Sequence, residues 1–258
     1  MFLFPDPIAF SIGPYSIKWY GLAYVFGIIL AWVYGRTCIR LGRFSKIGLG
    51  DWDGAINSMM LGVVIGGRLG YFTLYSPETF WRDPLEIIQI WHPGMAFHGG
   101  LIGVIGAVFI YAHLRSLHPW VLMDIAAVSA PIGLFLGRLA NFVNQEHCGY
   151  FTNMPWGVVF PTLPDGPRHP SQLYEAGLEG IGLFLILKAL MRSNHAGYPG
   201  QLSGIFLIGY GVMRIISELF RMPDGIWKGL TLGQWYCIPC IIAGCILYFW
   251  PSKAWSNL

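Results

Sequence analysis

The sequence predicts an all-α membrane protein with about seven transmembrane helices, and three observations carry that reading. Of 258 residues, 55% are hydrophobic and only 11% charged, with a mean hydropathy of +0.54, whereas a soluble domain carries about 25% charged residues. Seven windows of the roughly 20 apolar residues that cross a bilayer follow one another along the chain. Glycine (34) and aromatic residues (16%) are in surplus, as expected where small residues pack helices and Trp and Tyr sit at headgroup depth. The net charge of +3 is too small to point to nucleic acid. Five cysteines, an odd number without framework spacing, indicate no disulfide scaffold. Residues 1–17 show no basic n-region or small-residue cleavage site and read as mature sequence. Without linker, low-complexity tract or repeat, residues 1–258 read as a single polytopic membrane domain.

In order, the predicted spans are Trp19–Cys38, Ile56–Tyr75, Met95–Leu114, Val121–Asn144, Leu173–Met191, Leu202–Phe220 and Leu232–Trp250. Small residues four apart recur at Gly62, Gly66 and Gly70, at Gly99 and Gly103, and at Gly133 and Gly137, a spacing that lets helix backbones approach closely. The loops after spans one, three and five, with the carboxyl tail, hold Arg36, Arg40, Arg43, Lys46, Arg115, Lys188, Arg192 and Lys253. The opposite side holds Lys18, Arg82, Arg168, Arg221 and Lys228. That excess predicts an outer amino terminus and a cytoplasmic carboxyl terminus. The segments Ser76–Gly94 and Gln145–Pro170 then form the long outer connections.

Arg68, Arg138 and Arg214 fall inside these apolar windows. A guanidinium cannot shed its charge, and one at the centre of a bilayer helix costs at least about 2.5–3.5 kcal/mol. With the predicted orientation, the unusual polar residues gather toward the outer leaflet. They are Tyr20, Arg68, His98-Gly99-Gly100, the run Arg138, Asn141, Asn144 and Glu146, the segment from His169 to Glu175, and Tyr210, Arg214, Glu218 and Arg221. At about 100° per residue, Arg214, Glu218 and Arg221 lie within roughly 80° of Tyr210 on one helix face. Glu218 is placed to hold both guanidiniums at i,i+4 and i,i+3. Two arginines against one glutamate predict a surplus positive charge that an anion such as a lipid phosphate would settle; a self-contained ion-pair stripe is the alternative. No acid lies one turn from Arg138 in sequence, so it is expected to bind an anion or to snorkel, and Arg68 has the same two readings. His98 beside a glycine pair is either a functional group or a satisfied interfacial residue at a helix start, and Gly99 and Gly100 would let a substrate approach the backbone closely and expose amide N–H groups. Other features read as structural. Asp124 is a helix-start acid favoured by the dipole, Cys237 and Cys240 are small hydrophobes with no metal role, and His169-Pro170 starts a helix.

These segments resemble the bacterial prolipoprotein diacylglyceryl transferases over nearly the whole chain. The matching motifs run from Ser11-Ile12-Gly13-Pro14 and Trp19-Tyr20-Gly21 through the segment from Phe97 to Gly103. They continue through Gly137–Asn144 and His169–Glu175, and close with Tyr210-Gly211, Arg214 and the segment from Ser217 to Arg221. Ala140 and Gln145 stand where the family usually has glycine, and Tyr150 where it usually has arginine. The resemblance implies transfer of a diacylglyceryl group from phosphatidylglycerol to the lipobox cysteine of a preprolipoprotein signal peptide, releasing glycerol phosphate. It implies a site at the outer leaflet of the bacterial inner membrane, with partners drawn from membrane lipids and preprolipoproteins and not from nucleic acid. It also singles out Arg138, Asn141 and Glu146 as the signature set. For such chemistry His98 would take the thiol proton, and Arg138 and Arg214 would hold the phosphodiester. Asn141, Tyr20, Gly99, Gly100, Glu146, Tyr210, Glu218 and Arg221 would line or brace the headgroup site, and no cofactor is called for. The rival class is a transporter of an anionic lipid, which would be expected to carry polar groups on both sides of the membrane.

Overall fold

The computed structural model describes residues 4–89, 91–193 and 197–249. Met1 to Leu3 of the amino-terminal segment, Trp250 at the predicted end of the last span, and Lys253 lie outside the described residues. The chain packs as two compact units, residues 38–123 and residues 1–37 with 124–258. Among the described residues, five helices are long and apolar enough to cross a membrane: α1 (Trp19–Arg40), α2 (Leu49–Leu74), α4 (Phe97–Leu114), α5 (Pro119–Val143) and α9 (Leu232–Phe249).

In the unit of residues 38–123, α2 lies directly on α4. The glycines four apart are the reason: a Cβ on Gly70 would come within 2.7 Å of the Gly99 Cα, and one on Gly66 within 2.8 Å of the Gly103 Cα. Two backbones in contact gain dispersion and weak C–H···O interactions that larger residues would prevent. The connection between these helices contains a short helix, α3 (Pro77–Arg82), and a 3-10 turn (Pro84–Ile88). Arg68 fastens that connection. Only 2% exposed, it donates to the carbonyls of Glu86, Ile87 (3.2 Å), His92 (3.3 Å), Pro93 (3.4 Å) and Gly94 (3.0 Å), and its guanidinium lies over the Phe72 ring at 4.9 Å. Neither snorkelling nor an anion is required to explain it: loop carbonyls take the whole fork.

The other unit begins with a hairpin of β1 (Ile8–Ile12) and β2 (Tyr15–Lys18), turned at Gly13 with φ +59°, which leads straight into α1. Gly27 of α1 backs onto the Gly133 Cα of α5 (3.3 Å from a Cβ at Gly27), whereas a Cβ on Gly137 would meet nothing within 4 Å among the described residues. After α5 comes a second hairpin, β3 (Val158–Phe160) with β4 (Leu163–Arg168), packed through Phe160 on Phe142 and Cys148. The predicted fifth span is a continuous helical run of α6 (Ser171–Glu175), a π-helical stretch (Ala176–Gly182) and α7 (Leu183–Arg192). The predicted sixth is α8 (Gln201–Glu218), followed by a small hairpin of β5 (Ile226–Trp227) and β6 (Leu230–Thr231). Neither run is among these five apolar helices: the π-helical stretch divides the first into pieces of 5, 7 and 10 residues, and the second carries the buried Gln201, Arg214 and Glu218. The three hairpins amend the all-α expectation: the chain is mostly helical with short β excursions. Asp124 also differs from expectation. It accepts from the Gly200 and Ser203 amides (2.7 and 2.8 Å) and the Ser203 hydroxyl (2.7 Å), so it caps the start of α8, not its own helix.

Candidate functional site

A cluster of charged side chains lies buried in the unit of residues 1–37 and 124–258. α5 contributes Arg138 and Asn141, the α6/π run contributes Glu175 and Glu179, and α8 contributes Tyr210, Arg214, Ser217 and Glu218. The π-helical stretch sits close against α5, where a Cβ on Gly180 would lie 2.7 Å from the Phe135 Cβ. Such stretches recur at functional positions because they re-aim side chains within a helix.

Arg138 reaches across to both acids. One terminal nitrogen is 2.9 Å from Glu175 Oε2, and Nε and the other terminal nitrogen lie 3.3 and 3.0 Å from Glu179 Oε2. Arg214 meets Glu175 Oε1 in a very short contact, lies 3.8 Å from Glu179 Oε1, and pairs with Glu218 at 2.8 Å. Arg221 lies 3.3 Å from Glu175 Oε1 and donates to Asp224 Oδ2 (2.9 Å) and His147 Nδ1 (2.6 Å). Ser217 Oγ donates to Glu179 Oε1 at 3.4 Å. The predicted Arg214–Glu218 pair is present, but Arg221 turns to Glu175, Asp224 and His147 and not to Glu218.

The expected surplus of positive charge is therefore overturned. Arg138, Arg214 and Arg221 are matched by the buried Glu175, Glu179 and Glu218, six groups whose formal charges cancel, and Arg221 has a further, solvent-exposed partner in Asp224. Pairing is what makes the burial tolerable, since an isolated ion pays a desolvation cost of several kcal/mol. Glu179 is the residue that sequence reasoning missed, and Glu175 entered it only as the end of the His169–Glu175 segment, with no role of its own. Their signal was two acids four apart within an otherwise apolar window, which places them on one helix face.

Beside the cluster, Asn141 and Asn144 donate to the two oxygens of Glu146, at 2.9 and 3.3 Å. The chain between them turns through Gln145 at φ +58°, the left-handed region that glycine adopts at no cost. Tyr20, 36% exposed, shares a 2.9 Å hydrogen bond with Tyr24 and lies within electrostatic reach of Glu146 and Arg138. Tyr210 lies within reach of Glu179, Arg138 and Arg214. Of the arginines, Arg138 keeps 16% of its side chain accessible and Arg214 10%, while Glu175 and Glu179 keep none. Only Arg138 and Arg214 among these four can touch a ligand without rearrangement.

Two groups lie in the polar loops. Burial, reinforced by the Arg221 guanidinium, holds the His147 imidazole below its ordinary pKa. Burial likewise pushes the Cys148 thiol up, away from thiolate character.

His98, Gly99 and Gly100 belong to the other unit. His98 is exposed at the start of α4, with its ring edge-on to Phe97 at 5.5 Å, and lines an apolar groove of about 680 Å³ along α2 and α4. Gly99 is pressed against Gly66 and Gly70, and the Gly100 amide donates to the Ala96 carbonyl at 2.9 Å. The expected free amide is thus already engaged at Gly100, and the pair's first task is helix packing.

A family model described as prolipoprotein diacylglyceryl transferase matches residues 7–250. A Bordetella parapertussis protein named phosphatidylglycerol–prolipoprotein diacylglyceryl transferase is 45% identical over 253 residues, covering 96% of each chain. A protein of that name from Rhizobium leguminosarum is 48% identical, over 93% of this chain and 89% of its own. Another, from Rhodopseudomonas palustris, is 44% identical, over 94% and 88%. With a family match over nearly its whole length and relatives this similar end to end, the chain belongs to the prolipoprotein diacylglyceryl transferase family.

Proposed function

We infer that the protein transfers the diacylglyceryl group of phosphatidylglycerol to the thiol of a preprolipoprotein lipobox cysteine. The products are a thioether-linked lipid and glycerol phosphate. Family membership supports the activity; the observation that carries its chemistry is the pair of partly accessible guanidiniums, Arg138 and Arg214, held over buried carboxylates. The protein works as a seven-span, single-domain enzyme of the bacterial inner membrane, amino terminus outward, with the site toward the outer leaflet. The Lys and Arg distribution supports that orientation.

The step is a displacement at carbon. A thiolate attacks the glyceryl carbon that bears the phosphate, the C–S bond forms, and the C–O bond breaks with its electrons leaving on the phosphate. A free thiol has a pKa of about 8.5, so a base must remove its proton, and His98 takes it. The phosphodiester enters with one negative charge and leaves as a monoester with nearly two. Arg138 and Arg214 stabilise that growing charge in a low-dielectric surrounding, with no reorganisation at the moment of reaction. Asn141 and Tyr20 orient the headgroup, Glu146 fixes Asn141, and Glu218 and Arg221 brace Arg214 and the cluster. Tyr210 lines the same site, and Gly99 and Gly100 keep the helix end that carries His98 close-packed on α2.

Purified protein incubated with labelled phosphatidylglycerol and a lipobox peptide tests the reading. A lipid-sized mass gain on the peptide cysteine is expected. Lipid movement between leaflets with an unmodified peptide would instead mark a transporter.

A further inference from the structure

Glu175 touches all three buried guanidiniums, and it is itself 0% exposed. One of its oxygens faces Arg138, and the other faces both Arg214 and Arg221. These cations come from α5, from α8 and from the segment after α8, 37, 39 and 46 residues from Glu175 in sequence. No reactant can reach a side chain so enclosed, so whatever Glu175 does for a reaction it does through the arginines. We propose that Glu175 is the positioning and charge-balancing residue of the site: it fixes three guanidiniums in one arrangement and cancels the charge that would otherwise retain the phosphate product.

The argument rests on the transferase reading above and deepens it. With Glu175 ionised, Arg138, Arg214 and Arg221 stand against the buried Glu175, Glu179 and Glu218 with no net buried charge, while Asp224, its side chain 68% exposed, is a solvent-screened partner of Arg221. Reaction turns a monoanionic diester into a monoester that is largely dianionic at pH 7, its second pKa being about 6. A net positive cluster attracts a dianion about twice as strongly as a monoanion at equal distance. Such a cluster would bind product more tightly than substrate and stall turnover. A neutral one lets the two accessible guanidiniums grip by local hydrogen bonds while the net field favours neither species. Fixed geometry and easy release are then two outcomes of one carboxylate.

The test uses the full-length purified protein, phosphatidylglycerol in mixed micelles and a lipobox peptide, with glycerol phosphate added as product inhibitor. Glu175→Gln leaves three cations against two buried anions, Asp224 being solvent-screened. Inhibition by glycerol phosphate should tighten about tenfold while kcat falls. The double variant Glu175→Gln/Arg221→Gln restores equal numbers of buried cations and anions. Its inhibition constant should return toward the parent value, with kcat still low because position is not restored. A purely structural role would lower the unfolding temperature and weaken substrate and product binding together. A folded Glu175→Gln whose inhibition constant is unchanged or weaker overturns the proposal. Should that variant not fold, Glu175→Asp keeps the charge and shortens the reach, so kcat should fall with the inhibition constant unmoved; tightened inhibition there would equally overturn it. Failure of the parent protein to form any thioether would sink the transferase reading itself, a separate readout.

Discussion

The Arg138 guanidinium meets Glu179 side-on, with Nε 3.3 Å and a terminal nitrogen 3.0 Å from the same carboxylate oxygen, while its other terminal nitrogen faces Glu175 at 2.9 Å. Two donors of one planar fork are thereby hydrogen-bonded to Glu179 while its third nitrogen stands in ion-pair range of Glu175. An ammonium on a flexible stem can satisfy one of these contacts, not all. Arg138→Lys is expected to fold and to lose at least about a hundredfold in transfer rate. Initial rates of peptide lipidation measure it, and near-parental activity would show that the fork does not matter.

Glu179 carries the complementary prediction. Replacing it with Gln keeps its shape but leaves Arg138 and Arg214 short of a buried counter-charge. Breaking one partner of a buried pair costs about 3–5 kcal/mol. The thermal transition of Glu179→Gln in detergent should drop clearly below that of the parent, and an unshifted transition would argue that water already solvates the cluster.

The α2–α4 crossing gives a test independent of chemistry. A Cβ on Gly103 would lie 2.9 Å from the Gly62 carbonyl carbon, whereas one on Gly106 meets nothing within 4 Å among the described residues. Gly103→Ala should force the helices apart and destabilise by about 1–3 kcal/mol. Gly106→Ala, four residues from the Ile102 turn and open on its own side, should be neutral or slightly stabilising. Equal unfolding temperatures for the two variants would contradict the close-packed crossing.

Stability should depend on His147 below about pH 6.5. Burial and Arg221 depress its pKa in the folded chain, and Arg221 donates to Nδ1, which must therefore be unprotonated. As pH falls through the ordinary value of about 6.5, the unfolded chain takes up a proton that the folded chain refuses. The contribution is present above that value and is lost on acidification toward the depressed folded one. Thermal unfolding at pH 7.5 and 5.5 should show a smaller acid shift for His147→Gln than for the parent.

The apolar helices were legible because hydropathy and length alone define them: α1 begins at the predicted Trp19, and α4 ends at the predicted Leu114. The hairpins were not. β4 reads Leu163-Pro164-Asp165-Gly166-Pro167-Arg168, a string of turn formers that becomes a strand only by pairing with β3. Within the site, Arg214–Glu218 was readable since helix geometry sets i,i+4 neighbours. Arg138 and Glu179 are 41 residues apart on different helices, and no periodicity reports such a pair. Arg68 was opaque for a related reason: its partners are loop carbonyls, which every residue carries. Gln145 shows the reverse case. Its φ of +58° lies where a glycine would carry no strain, and Thr162, whose amide donates to Gln145 Oε1 at 2.9 Å, is one contact that offsets the strain.

The central claim is that a buried, charge-balanced arginine cluster carries carbon–oxygen cleavage at the lipid headgroup. Phosphatidylglycerol labelled with oxygen-18 at the bridge between phosphorus and the phosphate-bearing carbon of its diacylglyceryl group tests it most directly. The account predicts one glycerol phosphate carrying the label for each thioether formed on the peptide, by paired mass spectrometry of the two products. Label retained on diacylglycerol, or glycerol phosphate released without an equivalent of thioether, would contradict it.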